Sequence, residues 1–232
     1  MRRIIGFPLL LLFVSLGACQ SQTGSASLDT EDQKASYGIG HQMGGQLAPG
    51  ASHIDIDAFL AGVRDGIAGN DPALPQEELQ VAVQALSEAV MAEETQRREA
   101  DAEANLTEGA AFLAENATKD GIVVTESGLQ YEVITAAEGA TPSPEDQVVI
   151  QYKGTLLDGT QFDSSYDRGT PATFGVTGVI PGFSEGLQLM PVGSKYRFFI
   201  PSELGYGVNG SGQNIGPNAA LIFEVEMVDI VQ

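Results

Sequence analysis

The chain has 232 residues, 43% hydrophobic and 18% charged, which suits one or two globular domains and argues against disorder over most of its length. Its 31 acidic side chains against 11 Lys and Arg give a formal net charge of −20. Such a surface is repelled by phosphate backbones, which speaks against a nucleic-acid partner, and its plain use is solubility.

The N-terminus carries Arg2 and Arg3, then an apolar run from Ile4 to Leu16 broken only by Gly6, Pro8 and Ser15. That run falls short of the ~20 apolar residues a membrane-spanning helix needs and has the layout of a secretory signal. It ends in Leu16-Gly17-Ala18-Cys19, and Cys19 is the only cysteine of the chain. The segment resembles a bacterial lipoprotein signal. The resemblance implies that residues 1–18 are a signal peptide and that Cys19 is the lipidation site. It further implies an anchor in the envelope of a Gram-negative bacterium, at the outer membrane facing the periplasm or the surface. Each acyl CH₂ buried in lipid contributes ~0.8 kcal/mol, so several chains on one residue hold firmly. With Cys19 so used no internal disulfide can form, and packing alone must stabilise the fold. Residues 20–30, QSQTGSASLDT, are small and polar and, with Cys19, read as a flexible tether over 19–30.

Helical signals begin at residue 31. Thr30 and Gln33 have capping-box spacing, and Tyr37, Met43 and Leu47 can share one face. A second helix is predicted from Asp57, with Phe59, Val63 and Ile67 on one side, ending at Gly69-Asn70-Asp71-Pro72. A third runs from about Pro75 to Glu115, with Leu79, Val83, Leu86 and Val90 as its core stripe. Past Met91 the run AEETQRREADAEAN is rich in helix formers but has no apolar stripe, which predicts a helix crossing solvent between domains. The elements before residue 90 are short, Gly-rich and thin in core, so a homodimer through residues 31–90 is expected to bury their stripes. Gly38-Ile39-Gly40 and Gly44-Gly45 have neither a preceding strand nor the spacing of a phosphate-binding loop.

From about residue 120 the hydrophobic period changes to two. Val148, Ile150 and Tyr152 alternate with polar neighbours, as do Tyr196, Phe198 and Ile200, and then Leu221, Phe223, Val225 and Met227. Gly and Pro separate these runs, and one short helix fits after Pro181. The fold class is α+β, with a helical N-terminal region and long connecting helix over 31–118 and an antiparallel sheet with a short helix over 119–232. His41 and His53 are the only histidines, so 119–232 holds neither His nor Cys. Ser-His-Asp and Cys-His chemistry and the usual zinc sites are thereby excluded there, and no metal or cofactor is expected.

What the C-terminal region does hold is aromatic residues set beside glycines. In order come Gln151-Tyr152-Lys153-Gly154-Thr155-Leu156, Asp158-Gly159-Thr160-Gln161-Phe162-Asp163-Ser164-Ser165, Val179-Ile180-Pro181-Gly182-Phe183 and Gly186-Leu187 with Met190-Pro191-Val192-Gly193. Ile200-Pro201, Leu204-Gly205-Tyr206-Gly207, Ile215-Gly216-Pro217-Asn218 and Leu221-Ile222-Phe223-Glu224-Val225 follow. These motifs, in this order, resemble the FKBP-type peptidyl-prolyl cis-trans isomerases. The helices before them are similar to the dimerising half of the Mip-type bacterial members. The resemblance implies an antiparallel sheet wrapped on a short helix, acting on proline-containing polypeptide clients, with possible macrolide inhibitor binding.

By motif, the resemblance makes Phe183 the floor for the substrate proline and Tyr152, Phe162 and Phe223 the aromatic walls. Val179, Ile180 and Ile215 complete the lining, Tyr206 offers its hydroxyl to a substrate carbonyl, and Asp163 is held ionised by Arg168. Where the family often has Trp at the floor this chain has Phe183, and Ala172 falls at a wall position that is Phe in some members. The loop Val208 to Asn214 is rich in Gly and Ser. The chemistry needs nothing more, since rotating an X-Pro bond against its ~18–20 kcal/mol barrier breaks no covalent bond. The alternative is a holdase chaperone or binding module with little turnover.

Overall fold

The computed structural model of the chain describes residues 27–231. The signal segment and Cys19 lie outside these described residues. The chain divides into two compact units, meeting at Ile67 and Ala68.

In the first unit, α1 covers Glu31–Leu47. Its start is the capping box read in the sequence, with the Gln33 amide donating to Thr30 Oγ1 at 3.2 Å and the Thr30 amide to Gln33 Oε1 at 3.0 Å. A 3₁₀ turn over Ala48–His53 leads to α2, Ile56–Ala68. Asp55 caps α2, its Oδ1 accepting from the amides of Asp57 and Ala58. Neither helix contains a buried residue. Tyr37, Met43 and Leu47 of the first expected stripe are all exposed, and Ile67 of the second is 84% exposed.

The second unit opens with α3, Gln76–Asn116, 41 residues that start straight after Pro75. At 1.5 Å per residue this is ~60 Å of helix. The expected passage through solvent after Met91 holds only as far as Arg98, because from there the C-terminal half of α3 lies on the domain that follows it. The contact residues are Arg98, Ala102, Asn105, Gly109, Phe112 and Asn116. They recur at intervals of three and four, one face of a helix. An apolar count misses them, because five of the six are small or polar. The deepest polar link is Asn116, which donates to Gln130 Oε1 at 3.0 Å while Gln130 donates back to the Leu113 carbonyl at 2.8 Å. Both residues are buried, so this pairing satisfies amides that would otherwise be costly.

Seven antiparallel strands follow: β1 Ile122–Val124, β2 Gln130–Thr135, β3 Gln147–Leu156, β4 Gln161–Ser164, β5 Ala172–Gly175, β6 Lys195–Ile200 and β7 Leu221–Val231. Their order is β1-β2-β6-β7-β3-β4, with β5 also paired to β3. Two short helices complete the unit, α4 Ser165–Arg168 and α5 Pro181–Leu187. Pro181 opens α5, where a missing N–H costs nothing. The period-two runs form the inner face, with Val148, Ile150, Phe198, Ile200, Leu221, Val225 and Met227 fully buried. Burying each such side chain contributes ~1.5–3 kcal/mol. α5 closes this face at near contact distance. A Cβ on Gly186 would stand 2.7 Å from the Phe198 ring, so only glycine fits.

The outer face departs from simple alternation at Phe199. Phe199 points away from the core yet is buried, because Phe112 of α3 packs on it at 5.8 Å between ring centroids. Beside it Glu132, Arg197 and Glu224 stand opposite one another on β2, β6 and β7. Arg197 pairs with Glu132 at 2.9 Å and Glu224 at 2.6 Å. The guanidinium beside Glu224, working against its partial burial, holds that carboxyl below its ordinary range. Cross-strand pairs of this kind favour the register the core requires.

Candidate functional site

The inner face of the sheet opens at one end into a cavity of about 700 Å³. Each wall comes from a different element. β3 supplies Tyr152, β4 Phe162 and Asp163, the segment before α5 Val179 and Ile180, and the first turn of α5 Phe183. Tyr206 comes from between two 3₁₀ turns, Ile215 from the loop after them and Phe223 from β7. Nine of the ten residues read from the sequence as catalytic or substrate-binding therefore line one cavity. The tenth, Arg168 at the end of α4, stands behind the wall and bonds to two of the others.

The rings meet edge to face or tilted rather than in parallel stacks. Phe183 and Phe223 have centroids 4.8 Å apart, Phe162 meets Phe223 at 5.4 Å and 81°, and Tyr152 meets Phe183 at 6.2 Å and 70°. These are favoured aromatic geometries, each worth ~0.5–1.5 kcal/mol beyond area burial. Gly154 makes the arrangement possible. A Cβ there would come within 2.6 Å of the Phe162 ring and 2.8 Å of the Phe223 ring.

One side of the cavity is polar. The Tyr152 hydroxyl donates to Asp163 Oδ2 at 2.5 Å, and Arg168 donates both to Asp163 Oδ1 at 2.6 Å and to the Tyr152 hydroxyl at 2.8 Å. The Ser164 amide adds a further bond to Asp163 Oδ1. Burial pushes the Asp163 carboxyl up, but the bonds from Tyr152 and Arg168 and the guanidinium's charge outweigh it and hold the group below the usual carboxylate range. Burial and the neighbouring Asp163 raise the Tyr152 phenol, with Arg168 opposing them. Burial, with Asp163 second, likewise raises Tyr206. Tyr206 is 37% exposed at the rim, and among the described residues no side chain bonds to its hydroxyl. The cavity thus offers an aromatic floor, a carboxylate fixed by Tyr152 and Arg168, and a phenol at the rim that burial keeps protonated.

The sequence reading missed several lining residues. Phe174 lies on the cavity and meets the Tyr152 ring edge-on at 5.7 Å. Ala172, read as a wall position, is not among the lining residues; Phe174, two residues on along β5 and so on the same face, is. Period two from Ala172 was the available signal. Ser211, Gly212, Gln213 and Asn214 also line the cavity, from the loop rich in Gly and Ser. Among the described residues no group of three or more His, Cys, Asp or Glu is placed to hold a metal ion.

Comparison with known proteins gives two family matches. Residues 32–133 match the domain amino terminal to FKBP-type peptidyl-prolyl isomerase, and residues 138–228 match the FKBP-type peptidyl-prolyl cis-trans isomerase domain. The chain is 47% identical to the FKBP-type 22 kDa peptidyl-prolyl cis-trans isomerase of Escherichia coli, over 88% of this chain and 98% of that one. It is 39% identical to the outer membrane protein MIP of Legionella longbeachae, over 95% and 94% of the two chains. Among solved structures, FkpA from Escherichia coli superposes with a TM-score of 0.67 at 36% identity, covering 88% of this chain and 99% of that one.

Proposed function

This chain belongs to the FKBP-type peptidyl-prolyl cis-trans isomerases, and we propose that its turnover takes place in the aromatic cavity built on Phe183. The observation that carries this reading is the convergence of Tyr152, Phe162, Phe183, Ile215 and Phe223 from five segments on one mostly apolar space, with Asp163 and Tyr206 at its edge. A planar amide is charge-separated through resonance, and water stabilises it more than the twisted form. An apolar cavity removes that preference, so binding favours the transition state over the ground state. Phe183 takes the proline ring, and Tyr206, kept protonated by its surroundings, donates to the carbonyl of the turning bond. Asp163 and Arg168 fix the Tyr152 wall. Tyr206→Phe and Asp163→Leu are each expected to lower kcat/KM on a proline tetrapeptide about tenfold, with the melting curve retained. Full activity in both variants would contradict the assignment.

The domain plan that goes with this reading is a signal peptide at 1–18, lipidated Cys19 and tether over 19–30, helices over 31–118 and the isomerase domain over 119–232. Lipidation at Cys19 places the protein on the envelope membrane, and the relative named as an outer membrane protein supports that address. The exposed apolar side chains of Tyr37, Met43, Leu60, Ile67 and Val83 support homodimerisation through residues 31–90, since a stripe without a cover favours a partner. Macrolide binding fits the size and apolar floor of the cavity. Mass spectrometry of the membrane-extracted protein, with Cys19→Ala as control, tests the anchor, and sedimentation at micromolar concentration tests the dimer.

A further inference from the structure

The loop from Gly207 to Asn218 supplies one wall of the cavity and leaves the chain directly after Tyr206. It is closed at its neck by the Asn218 amide, which donates to the Gly207 carbonyl at 2.8 Å. Within it Ser211 and Ile215 exchange backbone hydrogen bonds at 2.8 and 3.1 Å. Gly210 lies so close to Ile215 that a Cβ would meet its carbonyl oxygen at 2.2 Å. Asn218 is the one described non-glycine residue with positive φ, 56°, a conformation Asn tolerates better than most. The loop is a closed ring whose internal bonds are one 3₁₀ turn at Gly207–Asn209, the Ser211–Ile215 pair and the Asn218–Gly207 closure.

α3 grips that ring from outside. Arg98 donates to the Asn209 carbonyl at 3.2 Å on one shoulder. On the other, Asn105 Nδ2 donates to the Pro217 carbonyl at 2.9 Å and Asn218 Nδ2 donates to the Ala102 carbonyl at 3.2 Å. Gly109, one turn on, brings the helix axis close to Ala220, where an added Cβ would only just touch at 3.4 Å. The helix face therefore carries a small residue where the backbones approach and amide donors where the loop presents carbonyls.

We propose that Asn105, Asn218 and Arg98 are positioning residues of the isomerase, holding the Gly207–Asn218 ring so that Ile215 and Tyr206 stand at the substrate, and that the C-terminal half of α3 is thereby a working part of the catalytic unit. This rests on the reading of the aromatic cavity as the site of turnover. None of the three residues lines the cavity, so their effect passes through the loop. Ile215 and the backbone of 211–214 meet the substrate residues beside the proline, whereas Phe183 and Phe223 meet the ring itself. Loosening the loop therefore weakens binding and sequence discrimination more than it slows the bound bond's rotation.

The test uses the full chain with Asn105→Ala, Asn218→Gly and their combination. Asn218→Gly keeps the positive φ accessible and removes only the amide that reaches Ala102. Each single variant is expected to raise KM for a proline tetrapeptide about three- to tenfold with kcat within about twofold. The spread of kcat/KM across residues preceding proline should narrow. Hydrogen exchange should quicken in 207–218 and stay unchanged in β3, β6 and β7. Asn105→Gln, which keeps the amide donor on a longer arm, should recover part of the KM. Unchanged KM with unchanged exchange in 207–218 would overturn the proposal, as would a uniform rise in exchange with kcat and KM both impaired. Exchange in the loop reads the positioning without reference to turnover, so an inactive wild-type chain would refute the assigned site and leave this result standing on its own.

Discussion

The two units of this chain differ in where their apolar side chains go. Between Leu129 and Met227 the sheet unit buries nineteen hydrophobic residues, from Phe198 at its centre to the rings of the cavity. The unit holding α1 and α2 buries Gly50 alone among its described residues, and leaves Tyr37, Ile39, Met43 and Ile67 in solvent. Both are regular secondary structure with caps and turns in order. What separates them is cover: local signals suffice to start a helix, but a stripe becomes stabilising only when something lies on it. The sheet supplies its own cover, and the N-terminal helices await another surface.

The sharpest way to break this comparison is to cut the same kind of group from both units. Phe198→Ala should cost about 3–5 kcal/mol in chemical denaturation, because it empties the centre of the core. Ile67→Ala, at an exposed position, should cost under about 0.5 kcal/mol when the chain is dilute and more as concentration rises. Equal losses at both sites would show that the first unit holds a core of its own.

A second expected effect separates site from scaffold within the sheet unit. Phe183→Ala should lower kcat/KM on a tetrapeptide about 10- to 100-fold, the worth of an apolar contact made by a buried ring at the cavity floor. Conversely, Tyr37→Lys with Met43→Lys should convert a dimer to a monomer in sedimentation while tetrapeptide kcat/KM stays within about twofold. A large loss of turnover in that pair would join the two units functionally.

The smallest expected effect is with pH. Asp163 titrates below its unfolded value of ~3.9, so its contribution is complete above about pH 4 and is lost as pH falls through the lower folded value. Tyr152 and Tyr206 titrate above their unfolded value of ~10, so theirs is complete below pH 10 and lost as pH rises through the higher folded one. With no histidine or cysteine lining the cavity, kcat/KM should be flat between about pH 5 and 9. A bell-shaped profile near neutrality would reveal a titrating group outside this set.

Much of this was legible from residues alone, and the reason differs by element. The capping box at Thr30 and Gln33 and the proline before α3 are local, so the sequence states them directly. The β3, β6 and β7 cores follow from period two. The cavity could be named only because its motifs fall in the order of a known family; no spacing in the chain says that Tyr152 and Phe223 meet. The docking of α3 was misread for a physical reason. Its contact face carries Asn105, Gly109 and Asn116, whose packing rests on hydrogen bonds and close approach, and a search for apolar stripes is blind to both. Phe199 is the counterpart on the sheet, an outward aromatic on β6 that Phe112 of α3 covers.

The most direct test is to titrate a proline tetrapeptide into the isotope-labelled full chain and map amide shifts together with cis–trans exchange of the peptide. Exchange accelerated by the protein, with the largest shifts at Tyr152, Phe183, Ile215 and Phe223, is the expected result. Accelerated exchange with shifts confined to α1 and α2, or no shift around Phe183 at saturating peptide, would contradict catalysis in the aromatic cavity.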